Sequence, residues 1–145
     1  MSRGGHDHAA HDGAAADPTF YRTPQAAASA PAEELAYVAA FSRGGERPDA
    51  LAVVDVNPRS AEYASVVGWF DMPHAGDELH HFGWNACSSA LCHAGHDHAH
   101  LERRYLLVPG LRSSRITVVD TKPDPRRPVL HKVIDGAELA ARAGY

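Results

Sequence analysis

The chain has 145 residues, a net charge of -4 with histidines neutral, and 44% hydrophobic residues. That length supports one domain with a modest core. No basic face points to nucleic acid, no polybasic segment to a membrane surface, and no apolar run approaches the ~20 residues that a membrane span needs.

Residues 1–18 are rich in Ala, Gly, His and Asp without periodicity, and read as a disordered tail. His6, His8 and His11 are either loose metal donors or parts of a solvated tail. The tail lacks the apolar centre of a secretory signal, so the expected compartment is the cytoplasm. Residues 19–34 carry prolines and an alanine run and are expected to form an extended lead-in.

Strand signals follow. Leu35–Phe41, Leu51–Val56 and Tyr63–Phe70 are expected strands, separated by Ser42-Arg43-Gly44-Gly45 and by Asn57-Pro58-Arg59-Ser60. The unbroken apolar run LAVVDV predicts burial on both faces. Three more strands are expected at Arg103–Val108, Ser114–Asp120 and Val129–Ile134, with a short helical turn over Glu138–Arg142. A repeat links the two halves. Val53-Val54-Asp55 and Val118-Val119-Asp120 lie 65 residues apart, and each has a proline three residues after the aspartate. Strand, Asp, Pro-containing turn, strand is a hairpin signature, and its recurrence fits a radial β-repeat. The two aspartates are expected to accept hydrogen bonds from turn amides.

The chemistry gathers in Asp77–Cys92, DELHHFGWNACSSALC. His80 and His81 are imidazole donors suited to copper, zinc, iron or nickel. Adjacent residues on a strand point to opposite faces, so both can bind one metal only where the backbone is irregular, and Gly83 permits a bend. Alternatively one binds and the other packs, or the loop is polar with incidental histidines. Asp77 and Glu78 would orient the imidazoles or act as ordinary turn acids. Phe82 and Trp84 supply apolar walls. Cys87 is a nucleophile, a soft ligand or a buried inert thiol. Cys92–His100 places His93, His96, His98 and His100 in one loop, which either buffers a metal or is a solvated insertion.

DELHHFGWNACSS, with RRYLLVPGLRSSRITVVDTKPDPRRPVLHKVI, closely resembles the selenium-binding protein (SBP56) family, which includes copper-dependent methanethiol oxidases. The resemblance runs from Thr23 to Tyr145 and implies an all-β fold, a seven-bladed β-propeller. Of that propeller, residues 19–145 would form the first one to two blades. It implies a copper cofactor held in part by His80 and His81, with Cys87 and Trp84 lining a pocket for a small thiol beside oxygen, and admits selenium binding. It names no protein partner. The implied reaction is oxidation of methanethiol to formaldehyde, hydrogen sulfide and hydrogen peroxide. A non-catalytic selenium- or thiol-binding propeller is the alternative. Two departures stand out. Ala90 replaces the second cysteine of the family's Cys-Ser-Ser-Cys motif, and Ala64 stands where some animal members have a selenium-linked cysteine.

Overall fold

The computed structural model describes residues 24–85 and 102–144. The chain divides into two compact units, Met1–Ala28 with Ala86–Arg103, and Ser29–Asn85 with Arg104–Tyr145. At the end of the first lies a short helix, α1 (Pro24–Ser29). The extended lead-in expected from the prolines is therefore helical there. Proline at the first helical position has a pre-set φ and no N–H to lose, and the alanines that follow are the best helix formers.

The second unit is two antiparallel sheets. In the first, β1 (Leu35–Ala40), β2 (Pro48–Asp55) and β3 (Val66–Ala75) lie in that order. In the second, β4 (Gly83–Trp84), β5 (Tyr105–Pro109), β6 (Ile116–Asp120) and β7 (Val129–Ile134) do the same. Each strand pairs with its sequence neighbour, as short connections favour. A closing helix, α2 (Gly136–Ala143), ends on Gly144 in the left-handed region.

The central strands are the buried ones. Ala50 to Val53 of β2 are buried on both faces, as the unbroken apolar run predicts, and Thr117 to Asp120 of β6 are likewise buried, with Asp120 bonded to Arg104. Leu51, Met72, Leu79, Leu106, Val108 and Val119 form one core cluster, with Tyr37, Phe70, Phe82 and Trp84 packed against it. It draws on both sheets and, through Leu79, on the segment between them. Removing such a side chain to alanine costs about 2–5 kcal/mol.

The 65-residue repeat is visible in the backbone. The β2–β3 register slips between Val53 and Val54, and the β6–β7 register slips between Val118 and Val119. In each hairpin one extra residue, Val67 or His131, sits on the second strand, which makes a bulge and adds local twist. Both strands then end in an aspartate that accepts a turn amide. Asn57 N–H reaches Asp55 Oδ1 at 2.9 Å and Lys122 N–H reaches Asp120 Oδ1 at 3.0 Å.

Each aspartate also holds an arginine. Asp120 pairs with Arg104 through two bonds, Nε at 2.8 Å and Nη2 at 2.5 Å. That guanidinium and the Lys122 N–H hold the Asp120 carboxyl down to about 2, against the opposing cost of burial. Asp55 instead takes Arg126, from the β6–β7 turn, at 3.1 Å, and so ties the first hairpin to the second. The same turn is fixed by Tyr37 Oη donating to Pro125 O at 2.7 Å. It passes close over Gly68, where an added Cβ would stand 1.8 Å from Arg126 O.

Candidate functional site

The segment from Asp77 to Phe82 joins the two sheets, and its ends are firmly held. Asp77 is buried and accepts from Arg115 Nη1 at 2.7 Å, while Arg115 Nε reaches Asp135 at 3.3 Å. The Asp77 carbonyl accepts Arg112 N–H at 3.1 Å, and the Glu78 carbonyl accepts Leu111 N–H at 3.0 Å. Leu79 bridges to Gly110, whose missing side chain leaves room for Asp77 Cβ and Ser113 Oγ. Glu78 has φ of 54°, a left-handed conformation uncommon for a residue with a side chain, and its carboxylate pairs with Arg112 Nε. Buried Asp49 reaches in from β2. Its Oδ2 accepts Leu79 N–H at 2.9 Å, and its Oδ1 accepts Ser42 N–H at 2.7 Å. Leu79 is 1% exposed and Phe82 returns to the core.

Between those anchors His80 and His81 are exposed and belong to no strand. Their rings meet, with centroids 4.5 Å apart at 52° and the two Nδ1 atoms 2.8 Å apart. In the neutral pair one Nδ1–H donates to the other Nδ1. The irregular backbone that sequence reasoning required for a shared ligand role is present. Gly83, however, is not the bend; it is in β4, opposite Leu107.

A cleft of about 810 Å³ opens beside His80. The β1–β2 turn, from Phe41 through Gly45, forms one wall, Glu78, Arg112 and His80 another, and Asp49 also lines it. Trp84 lies on the core side, with its ring edge-on to Tyr37 at 5.8 Å. Of the two roles open to Asp77 and Glu78, imidazole partners or ordinary turn acids, the structure shows the second, with the two carboxylates bound to Arg115 and Arg112. Cys87, Cys92 and the histidines from His93 to His100 lie outside the described residues, as do His6, His8, His11 and the rest of the N-terminal tail.

The histidine pair fits the metal that the motif implies. Imidazole nitrogen is a donor type that copper accepts, and the 2.8 Å approach of the two Nδ1 atoms places both donors side by side, joined to each other by a hydrogen bond. Among the described residues no group of three or more His, Cys, Asp or Glu could hold a metal.

Sequence reasoning found the histidines but missed Asp49, Arg112 and Arg115. Asp49 carries a faint signal, as a charged residue at the mouth of an unbroken apolar strand. The arginines carry none without knowledge of which turn meets which.

The described residues thus form a meander of antiparallel strands in two sheets, with a histidine pair exposed on the segment that connects them. Residues 14–145 match the profile of the 56 kDa selenium-binding protein (SBP56) family, and the chain belongs to that family. It is 49% identical over 126 residues to selenium-binding protein 2 of Arabidopsis thaliana, covering 86% of this chain and 25% of that protein. It is 46% identical over 124 residues to methanethiol oxidase of Mus musculus, covering 84% and 25%. The X-ray structure of a hypothetical selenium-binding protein from Sulfolobus tokodaii is similar with a TM-score of 0.77 at 55% identity, over 86% of this chain and 28% of that one. The chain thus spans about a quarter of the length of these relatives. No helix among the described residues is long and apolar enough to cross a membrane.

Proposed function

We propose that this chain forms the first blades of a β-propeller oxidoreductase of the methanethiol oxidase kind, with His80 and His81 as two of the ligands of a copper ion. The observation that carries the reading is the 2.8 Å approach of the two Nδ1 atoms on an exposed, irregular segment held at both ends. The relatives named methanethiol oxidase support the reaction class. The hairpin repeat, with matching bulges and matching Asp-capped turns, supports the blades.

Bound there, copper would supply one-electron redox chemistry and a soft centre for thiolate sulfur. Overall, methanethiol, oxygen and water would give formaldehyde, hydrogen sulfide and hydrogen peroxide. The residues of this chain have simpler tasks. To hold one ion together, His80 and His81 would exchange the Nδ1–H···Nδ1 bond between them for two metal bonds, with the Nδ1 proton leaving or moving to Nε2. Asp77 and Glu78 keep their arginines and so hold the backbone that carries the pair. Trp84 backs the segment from the core side, and Cys87 is the proposed contact for substrate sulfur. The further ligands would come from sequence beyond these 145 residues.

A second reading is a selenium- or thiol-binding propeller without turnover, favoured by the names of the Arabidopsis relatives. The two separate on the doubly substituted His80→Ala, His81→Ala protein at the relatives' full length. Loss of tightly bound copper together with methanethiol turnover is expected. Unchanged copper content would exclude the pair as ligands, and turnover resistant to chelation would exclude copper from the reaction.

A further inference from the structure

Asp49 is 5% exposed, and both of its carboxylate oxygens are used. One holds the Ser42 amide in the β1–β2 turn, seven residues back; the other holds the Leu79 amide, thirty residues on. Leu79 is the residue directly before His80. The pairing of this segment with the 110–115 turn uses the carbonyls of Asp77 and Glu78, whereas the Leu79 N–H goes to Asp49. The segment is thus held from two sides, by the turn and by one buried carboxylate. The same carboxylate links the two walls of the cleft, since Ser42 lines one and His80 the other.

We propose that Asp49 is the positioning residue of the histidine pair, setting His80 and His81 at metal-binding separation before any metal arrives. This rests on the copper reading above. A pre-set pair loses little conformational freedom on binding, and groups that orient ligands are commonly worth tenfold or more in metal affinity. Removing Asp49 frees two amides, one of them buried, and lets the Leu79 backbone relax toward solvent. Asp77 and Glu78 do not replace it, because they bind the opposite side of the segment.

The test titrates Cu(II) into the full-length protein and reads affinity, the electron paramagnetic resonance spectrum and the melting temperature. The variants are Asp49→Asn and, as a control, Asp55→Asn. Asp55 is an equally buried carboxylate on the same strand whose partners, Asn57, Ser60 and Arg126, lie away from the pair. Both variants are expected to melt lower. Only Asp49→Asn is expected to raise the copper Kd, by about tenfold or more, and to alter the spectrum. A folded Asp49→Asn protein with wild-type affinity and spectrum would overturn the proposal, as would an equal loss in Asp55→Asn. Amide exchange in the wild-type protein needs no variant: Leu79 N–H should exchange as slowly as the core strands, and fast exchange contradicts the proposal. If the wild-type protein binds no copper, the metal reading fails by itself. Positioning is then read from ¹⁵N-labelled histidine, where the Nδ1–H···Nδ1 pairing should be present in wild type and absent in Asp49→Asn; its survival there would overturn the role of Asp49.

Discussion

His80 and His81 act as one unit because the backbone lets neighbouring side chains converge. A strand would send them to opposite faces, whereas the short irregular segment between buried Leu79 and Phe82 brings Nδ1 to Nδ1. The residues that make this possible are charged, and each is satisfied; among the described residues no buried side-chain nitrogen or oxygen lacks a partner. Asp120 shows the same economy at the other end of β5. Its folded pKa of about 2 lies below the ordinary aspartate value, so the Arg104 pair stabilises the fold above about pH 4. That contribution fades as pH falls from about 4 to 2. Arg104→Met should therefore lower the melting temperature clearly at pH 7 and hardly at pH 2, as melting curves across that range would check. A constant difference would show that the pair acts through packing alone. Gly68 is constrained by space. A methyl group there meets Arg126 O at 1.8 Å, so Gly68→Ala must push the β6–β7 turn away and break the Asp55–Arg126 tie. A loss of about 2 kcal/mol or more is expected in denaturant unfolding.

At the scale of elements, the strands with β-branched runs and Pro or Gly turns were legible. Val129–Ile134 matches its expected bounds, and β1 and β6 lie within a residue or two of theirs. β3 moved. Tyr63 was expected to open it, yet the chain first turns through Ala64 at φ of 62°. The strand then continues through Pro73 to Ala75. That continuation was hidden because Pro73 and Gly76 resemble a turn. β3 is an edge strand, where a proline costs no ladder bond if its position faces outward. The site divides in the same way. The histidine pair stood out by residue type, but Asp49, Arg112 and Arg115 act across 30 to 38 residues, and no local pattern records which turn they meet. Arg115→Met should loosen the hold of the 110–115 turn on the segment that carries Asp77. It is expected to speed amide exchange at Leu111 and Arg112, whose N–H groups bond the Glu78 and Asp77 carbonyls. Unchanged exchange there would show that the carbonyl bonds suffice.

Across the whole molecule, the two sheets share a core yet leave long edges. Among the described residues β1, β3, β4 and β7 each pair on one side only, and Val38, Val66, Trp69, Val129 and Leu130 are all exposed. Such edges invite pairing with other chains unless something covers them. In relatives about four times as long, the remaining sequence is the proposed cover. The 145-residue chain alone is therefore expected to self-associate in light scattering, to bind copper weakly and to lack methanethiol turnover. A monodisperse, cooperatively melting and active 145-residue monomer would contradict the proposed blade assembly.

If His80 and His81 hold copper together, as proposed, copper stoichiometry and the electron paramagnetic resonance spectrum of the protein at the relatives' full length must respond when either histidine is replaced by alanine. One tightly bound copper with nitrogen hyperfine structure is expected in the parent, with that copper lost or its nitrogen coupling reduced in each single variant. Copper content and spectrum unchanged by either replacement would contradict it.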